Sequence, residues 1–191
     1  MTPLATARWQ RLDGPGHDQC RLIAEPGGFM LCGHARFTES GAEAALDYVV
    51  RCDAGWATTG ADIGGVMAGR EVGWKITRDP GGGWRLNGRA VAGLDDCLDL
   101  DLGFTPATNL LPLRRLGLLP RGRAALAAAW FLPGAGGGRL LRLEQSYDAR
   151  GAGQVAYRSD QFAARIEVHE TGLPRRYGDL WDGRVDDAAL G

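Results

Sequence analysis

The sequence predicts a mainly β protein built on one continuous antiparallel sheet. Apolar and polar residues alternate with a period of two in several short segments, which is typical of strands with one buried face. Turn-forming residues separate these segments, and no strand-helix-strand rhythm indicates a parallel sheet. A sandwich, a barrel and a curved open sheet all fit this pattern. We expect a single domain over residues 1–191, with residues from about 182 to 191 as a loosely ordered tail.

The alternation places the strands. In the segment EAALDYVVRCD, Leu46, Tyr48 and Val50 share one face, and charged residues occupy the other. Asn87-Gly88 predicts a tight hairpin, because a type I′ turn needs positive φ at both central residues. The same alternation recurs in residues 72–79, 98–102, 139–150, 154–160 and 162–170.

The segment DLDLGFTPATNLLPLRRL changes character halfway, from a strand to an apolar stretch. Thr105 and Pro106 predict the N-cap and first residue of a short helix, which Pro112 limits to about two turns. The leucines of residues 110–119 are too many for one narrow stripe, so we expect this segment to be packed inside the sheet. Residues 122–133 fit a helix or a strand, and we assign a strand with these inward residues: Leu126, Ala128, Trp130 and Leu132.

Composition and charge exclude several functional classes. Lys and Arg number 22 against 23 Asp and Glu, so no overall field attracts nucleic acid or an anionic membrane. The N-terminal residues show no secretory signal, and no segment is long and apolar enough to span a bilayer. We therefore expect a cytoplasmic protein with no nucleic-acid partner and no stable membrane insertion. The sequence leaves the oligomeric state open.

Cysteine and histidine spacing predicts neither a metal site nor a catalytic triad. The four cysteines are expected as free, mostly buried thiols, because they stand singly with no C-x-x-C pair. The three histidines are well separated, and no serine or cysteine lies in a nucleophile-elbow context. The glycine clusters lack the spacing and lysine of a phosphate-binding loop. No cofactor, metal ligand or catalytic residue is predicted.

Two pairs of charged residues are candidates for chemistry. Asp99 and Asp101 are two apart on a strand, so their side chains share one face, roughly 7 Å apart. They either act in acid/base chemistry or form the polar face of an amphipathic strand. Arg114 and Arg115 lie among leucines, where an inward guanidinium would bind a phosphate or sugar oxygens, and an outward one would only solubilise. The six tryptophans either fill the core or line a cavity.

Five runs of residues resemble the Putative glycolipid-binding family, a bacterial, cytosolic group first described as a domain of unknown function. The runs are WQRLDGPGHDQCRL, LDYVVRCDAGW, WRLNG, CLDLDLGFTPATNLLPLRRL and YGDLW. The resemblance implies a curved antiparallel half-barrel, similar to the periplasmic lipoprotein carriers of the Lol pathway, with short helical segments on its concave face. The missing export signal separates this sequence from those carriers.

The resemblance implies a binding or carrier protein for an amphipathic ligand, plausibly a glycolipid, with the leucines lining the hollow. Two alternatives stay open: an enzyme acting on a sugar or nucleotide conjugate through Asp99 and Asp101, and an interaction module without a cavity. The ligand-binding residues predicted on this basis are Asp99, Asp101, Phe104, Thr105, Asn109, Arg114, Trp130 and Tyr147.

Overall fold

The structure is a computed structural model that describes residues 2–39, 41–134, 136–160 and 162–187. Fifteen strands form one sheet, which confirms the predicted mainly β class. The first eight strands are β1 (Thr2–Arg11), β2 (Gly16–Glu25), β3 (Gly28–Glu39), β4 (Ala42–Asp53), β5 (Thr58–Met67), β6 (Arg70–Arg78), β7 (Trp84–Leu86) and β8 (Arg89–Val91).

The second half of the chain returns from the opposite end of the sheet. Its strands are β9 (Asp99–Leu102), β10 (Arg121–Leu132), β11 (Arg139–Arg150), β12 (Gln154–Ser159), β13 (Ala163–Val168), β14 (Pro174–Tyr177) and β15 (Trp181–Asp187). The strand order is β8-β7-β6-β5-β4-β3-β2-β1-β15-β14-β13-β12-β11-β10-β9. Neighbouring strands are antiparallel except β9 and β10, which are parallel. The sheet therefore joins its two halves where β1 pairs with β15.

The sheet is curved and unclosed, and side chains from its two halves pack against each other. The rings of Trp74 on β6 and Phe131 on β10 lie 5.3 Å apart. The chain between β8 and β9 crosses from one end of the sheet to the other. On the way the Thr58 amide donates to the Leu98 carbonyl at 2.9 Å, and the Leu100 amide donates to the Thr58 hydroxyl at 3.1 Å.

The core follows the predicted alternation in β4. Leu46, Tyr48 and Val50 are at most 1% exposed and belong to a large apolar cluster on the inner face of the first six strands. A second, smaller cluster lies between the helix and strands β11 to β13. The Asn87-Gly88 hairpin is also confirmed, with φ of 48° and 78° at the two residues. The four cysteines are free, and three of them are buried.

The helical segment starts later than predicted. A 3-10 turn at Ala107–Asn109 leads into a helix, α1, at Leu110–Arg115. Thr105 still acts as a cap, since its hydroxyl accepts the Ala107 amide at 3.0 Å. Pro112 lies in the first turn of α1, where its missing N–H removes no helical hydrogen bond. Proline therefore does not end this helix.

Gly117 ends α1. Its φ of +58° places it in the left-handed region, and its amide donates to the Arg114 carbonyl at 3.1 Å. The Leu118 amide donates to the Leu113 carbonyl at 3.0 Å. These two bonds form a Schellman motif, and Leu113 and Leu118 share the second apolar cluster, as this motif favours. No helix in the described residues is long and apolar enough to cross a bilayer.

Three expectations need correction. Residues 182–187, assigned to a loose tail, form most of β15, and residues 188–191 lie outside the described part of the chain. The leucines of α1 pack in the two apolar clusters and do not line the hollow, because helix and sheet close together around them. Residues 121–132 form a strand as predicted, but Ala129 and Phe131 on its other face are also buried, so both faces are covered there.

Candidate functional site

A cavity of about 550 Å³ lies on the concave side of the second half of the sheet. Its walls come from β9 to β12, from the turn that follows β9, and from the β12–β13 and β14–β15 connections. The volume is within the range of sites that enclose one small molecule. Its polar or charged lining residues are Asp101, Thr105, Asn109, Arg142, Ser159 and Asp160.

Strand pairing brings the two walls of the cavity together. Asp101 on β9 and Trp130 on β10 are register partners, so their side chains point to the same face of the sheet. Tyr177 on β14 and Trp181 on β15 are paired in the same way at the opposite wall. Gly103 permits a close approach of the turn, since a Cβ there would lie 2.7 Å from Nε1 of Trp130. Backbone register therefore fixes which residues face the cavity.

Asp101 is half-buried and keeps one oxygen available to a ligand. Nε2 of Gln145 donates to its Oδ2 at 2.5 Å, and Oδ1 has no hydrogen-bond partner among the described residues. Burial raises the pKa of Asp101 to about 6, with Gln145 opposing the shift and the charge of Asp99 adding to it. At neutral pH the carboxylate is charged and accepts hydrogen bonds.

Further polar contacts lie behind the wall, next to the bond between Gln145 and Asp101. The hydroxyl of Tyr147 lies 3.4 Å from Oε1 of Gln145 and donates to Oδ1 of Asn109 at 3.0 Å. Nδ2 of Asn109 donates to the Pro106 carbonyl at 3.1 Å. These contacts fix the orientation of the Asn109 amide and of Gln145. The polar side of the cavity is thereby held in place before any ligand arrives.

The other wall of the cavity is aromatic. The rings of Tyr157 and Tyr177 lie 5.7 Å apart at nearly a right angle, and Phe162 lies 6.2 Å from Tyr157. Burial raises the pKa of Tyr157 to about 12, so its hydroxyl stays neutral at physiological pH. Trp130 and Trp181 complete the set, and the indole N–H of Trp130 has no partner in the described chain. This wall offers ring faces and one free donor.

Thr105 connects the cavity to a buried acid. Its hydroxyl and that of Tyr48 both donate to Oδ2 of Asp18, the latter at 2.9 Å. The side chain of Asp18 is buried, and its Oδ1 has no hydrogen-bond partner among the described residues. Burial raises the pKa of Asp18 to about 6, although the bonds from Thr105 and Tyr48 oppose the shift. Asp18 is thus a buried polar anchor for the turn at Thr105.

The structure brings four of the eight predicted ligand-binding residues to the cavity: Asp101, Thr105, Asn109 and Trp130. Phe104 and Tyr147 are buried behind it. Phe104 packs in the core with its ring 5.6 Å from that of Phe37, and Tyr147 holds Asn109.

Asp99 and Arg114 also lie outside the cavity wall, each for a clear reason. Asp99 is fully buried in an ion pair with Arg115, which is the inward arginine of the predicted pair. Arg114 is exposed, donates to the Thr171 carbonyl at 2.6 Å, and lies over the ring of Trp56 at 5.7 Å. The two aspartates of the predicted strand therefore have different surroundings.

Several cavity residues were missed by sequence reasoning. Tyr157 and Ser159 alternate with Ala156 and Arg158 in β12, so the pattern was visible, but nothing local showed which face would enclose a space. Phe162 and Tyr177 reach the cavity only because β12 and β14 both pair with β13.

A cluster with metal-ligating chemistry lies away from this cavity. His169, Glu170 and Asp187 each offer one atom that could bind a metal, and these atoms lie within 4.8 Å of one another. Nδ1 of His169 accepts the Thr171 amide at 3.3 Å and also lies 3.1 Å from its hydroxyl. If Nδ1 accepts from the amide, the neutral ring carries its proton on Nε2, which then faces Asp187 as a donor and cannot bind a metal.

Comparisons with known proteins agree with the fold. The crystal structure of a DUF1089 family protein from Pseudomonas aeruginosa is 29% identical, with a TM-score of 0.71, over 86% of this chain and 91% of that chain. No curated protein matches the sequence. The family model described as Putative glycolipid-binding matches residues 6–183, a range that contains every residue of the cavity wall. The chain therefore belongs to the Putative glycolipid-binding family.

Proposed function

We propose that this protein binds or carries an amphipathic small molecule, a glycolipid by the description of its family, in the cavity lined by Asp101 and Trp130. The observation that carries the proposal is the composition of the wall. A free carboxylate oxygen and a free indole N–H face five aromatic rings in one recess. Sites for small molecules combine apolar lining with a few placed polar groups in this way.

The family description supports the same class of ligand. It matches nearly the whole chain, but it names a ligand class and no residue. The hydrogen bonds from Gln145 to Asp101 and from Tyr147 to Asn109 support a preformed site, because a fixed polar wall loses little entropy on binding.

The alternative of an enzyme using Asp99 with Asp101 has less support. Asp99 is tied to Arg115 and is absent from the cavity wall, so the pair shares no reacting space. Acid/base catalysis would depend on Asp101 alone, because the other carboxylate of β9 does not line the cavity. A protein that only encloses its ligand needs no such partner.

Native mass spectrometry of the protein purified from cells tests the proposal. We expect an added mass that denaturing extraction releases as an amphiphile. A delipidated sample should regain thermal stability with that lipid, by about 2.7 kcal/mol at a hundredfold excess over Kd. The Trp130→Ala variant should lose most of this gain. A bare polypeptide mass, together with no change in melting temperature for any lipid class, would contradict the proposal.

A further inference from the structure

The size of the cavity determines which part of a ligand it can hold. The volume of about 550 Å³ is smaller than two acyl chains require, so a whole diacyl glycolipid does not fit. One or two sugar rings do. Given the proposed function, on which this inference rests, two questions remain. One is which part of the ligand enters the cavity, and the other is where the rest of the ligand leaves it.

The charges on the wall select the headgroup. Asp101 and Asp160 contribute carboxylates, and Asp160 has no ion pair within the described chain. Arg142 is already engaged, because it binds both oxygens of Asp96 and donates to Oε1 of Glu144 at 2.7 Å. A phosphate, sulfate or carboxylate headgroup would thus meet negative charge, with no free cation among the described residues that line the cavity. Sugar hydroxyls donate well to carboxylates.

The aromatic wall suits the same headgroup. Sugar rings present C–H faces that pack on aromatic rings, and Trp130, Tyr157 and Tyr177 offer such rings beside the Asp101 carboxylate. The free N–H of Trp130 adds a donor for a sugar oxygen. Acceptor, donor and ring faces therefore occur together within one recess.

A groove that shares two lining residues with the cavity could hold the tail. Phe162 is 37% exposed and Leu180 is partly buried, and both also line an adjoining open groove of about 510 Å³. Ala163, Ala164 and Gly178 add small residues to this lining, and its remaining residues are charged: Arg165, Glu167, Arg176 and Asp179. Leu12 is 47% exposed and lies beside Leu180, whose carbonyl accepts its amide at 2.9 Å. Phe162 and Leu180 therefore lie between the cavity and the groove and line both.

We infer that the cavity binds an uncharged sugar headgroup, and that the alkyl tail of the same ligand leaves across Phe162 and Leu180 into the adjoining groove. The carboxylate of Asp101 accepts hydroxyls of the sugar, and Phe162 covers the first carbons of the tail. Binding of the headgroup and binding of the tail thus depend on different side chains.

Titration with simple alkyl compounds separates the two parts. The probes are methyl and octyl glycosides of glucose, galactose and mannose, with octyl phosphate and octanoate as anionic counterparts, all below their micelle concentrations. We expect at least one octyl glycoside to bind and its methyl glycoside to compete. Octyl phosphate and octanoate should bind at least about tenfold more weakly, equal to about 1.4 kcal/mol.

Three variants locate the contacts. Asp101→Asn should weaken methyl and octyl glycosides alike, and Trp130→Phe, which retains a ring but loses the N–H, should do the same if Asp101→Asn fails to fold. Phe162→Ser should weaken the octyl glycoside by a larger factor than the methyl glycoside, because Phe162 borders the cavity and also lines the groove. Leu141→Ser is the matched control, since Leu141 is 38% exposed and lies outside both the cavity and the groove.

The outcomes also separate this inference from the proposed function. If the anionic octyl compounds bind as tightly as the glycosides, or Asp101→Asn has no effect, the headgroup assignment is overturned while binding of an amphiphile stands. If Phe162→Ser weakens methyl and octyl glycosides equally, the exit route is wrong. If no alkyl compound binds, the proposed function fails as well.

Discussion

Arg115 holds Asp99 through two parallel hydrogen bonds, from Nε to Oδ1 at 3.0 Å and from Nη2 to Oδ2 at 2.7 Å. The side chain of Asp99 is 1% exposed and that of Arg115 14% exposed. Burial raises the pKa of Asp99 despite this pairing. The pair joins the end of α1 to the terminal strand of the sheet, sixteen residues earlier in the chain.

Removing one partner of this pair should be costly. Arg115→Met leaves a buried carboxylate without its cation, so we expect the free energy of unfolding to fall by about 3–5 kcal/mol. Arg114→Met, at the exposed neighbouring position, should cost less than about 1 kcal/mol. Urea denaturation of both variants measures the difference. Adding Asp99→Asn to Arg115→Met should restore part of the loss, and equal losses for the two arginines would refute this role.

Leu113 should behave as a core residue. It is 1% exposed and packs in the second apolar cluster with Leu118. Leu113→Ala should lower the free energy of unfolding by about 2–5 kcal/mol, because it leaves a cavity in a packed core. Leu116→Ala is the control, since Leu116 is 37% exposed just beyond the same helix and should lose under about 1 kcal/mol. Similar losses would show that Leu113 faces open space.

Asp18 should make stability depend on pH with a defined sign. Its pKa rises from 3.8 to about 6 in the folded state, so the fold favours the protonated form. This contribution is complete below about pH 3.8 and is lost as the pH rises through about 6. Two pKa units correspond to at most about 3 kcal/mol.

The Asp18→Asn variant tests this linkage. From pH 3 to pH 7, a window that brackets both values of the Asp18 pKa, its unfolding free energy should rise relative to that of the wild type. Asp101 titrates in the same window and remains in both proteins, so the difference between the two curves isolates Asp18. Tyr48, His34 and Cys20 are the other titratable groups near Asp18. Parallel curves would contradict the prediction, and Asp179→Asn, fully exposed, serves as the control.

Gly33 should resist even the smallest side chain. It pairs with Tyr48 across β3 and β4, and a Cβ would collide with the Tyr48 ring. Gly33→Ala should therefore displace Tyr48 from Asp18 and cost about 1–3 kcal/mol in thermal or urea unfolding. Gly73→Ala in β6 is the matched control, because its Cβ would meet nothing within 4 Å. If Gly33→Ala left the free energy of unfolding unchanged, the Tyr48 ring would be free to move.

The local sequence was sufficient to predict several structural elements. The alternation in residues 43–53 predicted the buried face of β4, and Asn87-Gly88 predicted its hairpin, because burial and turn geometry leave a signal within a few residues. The resemblance added the curvature of the sheet, which alternation alone left open between three architectures. These features depend on near neighbours or on the whole family pattern.

Only the tertiary structure decided the surroundings of β9 and the site. Asp99 and Asp101 alternate with leucines like the polar face of an exposed strand, yet α1 covers Asp99 and Gln145 binds Asp101. The cavity joins β9 to β15 through strand pairings between distant residues, and no local pattern encodes which face those pairings enclose. The sequence by itself determined strands, turns and the apolar segment, since each rests on short-range chemistry. Sheet curvature and register then decided which polar groups are buried, paired or left facing a ligand.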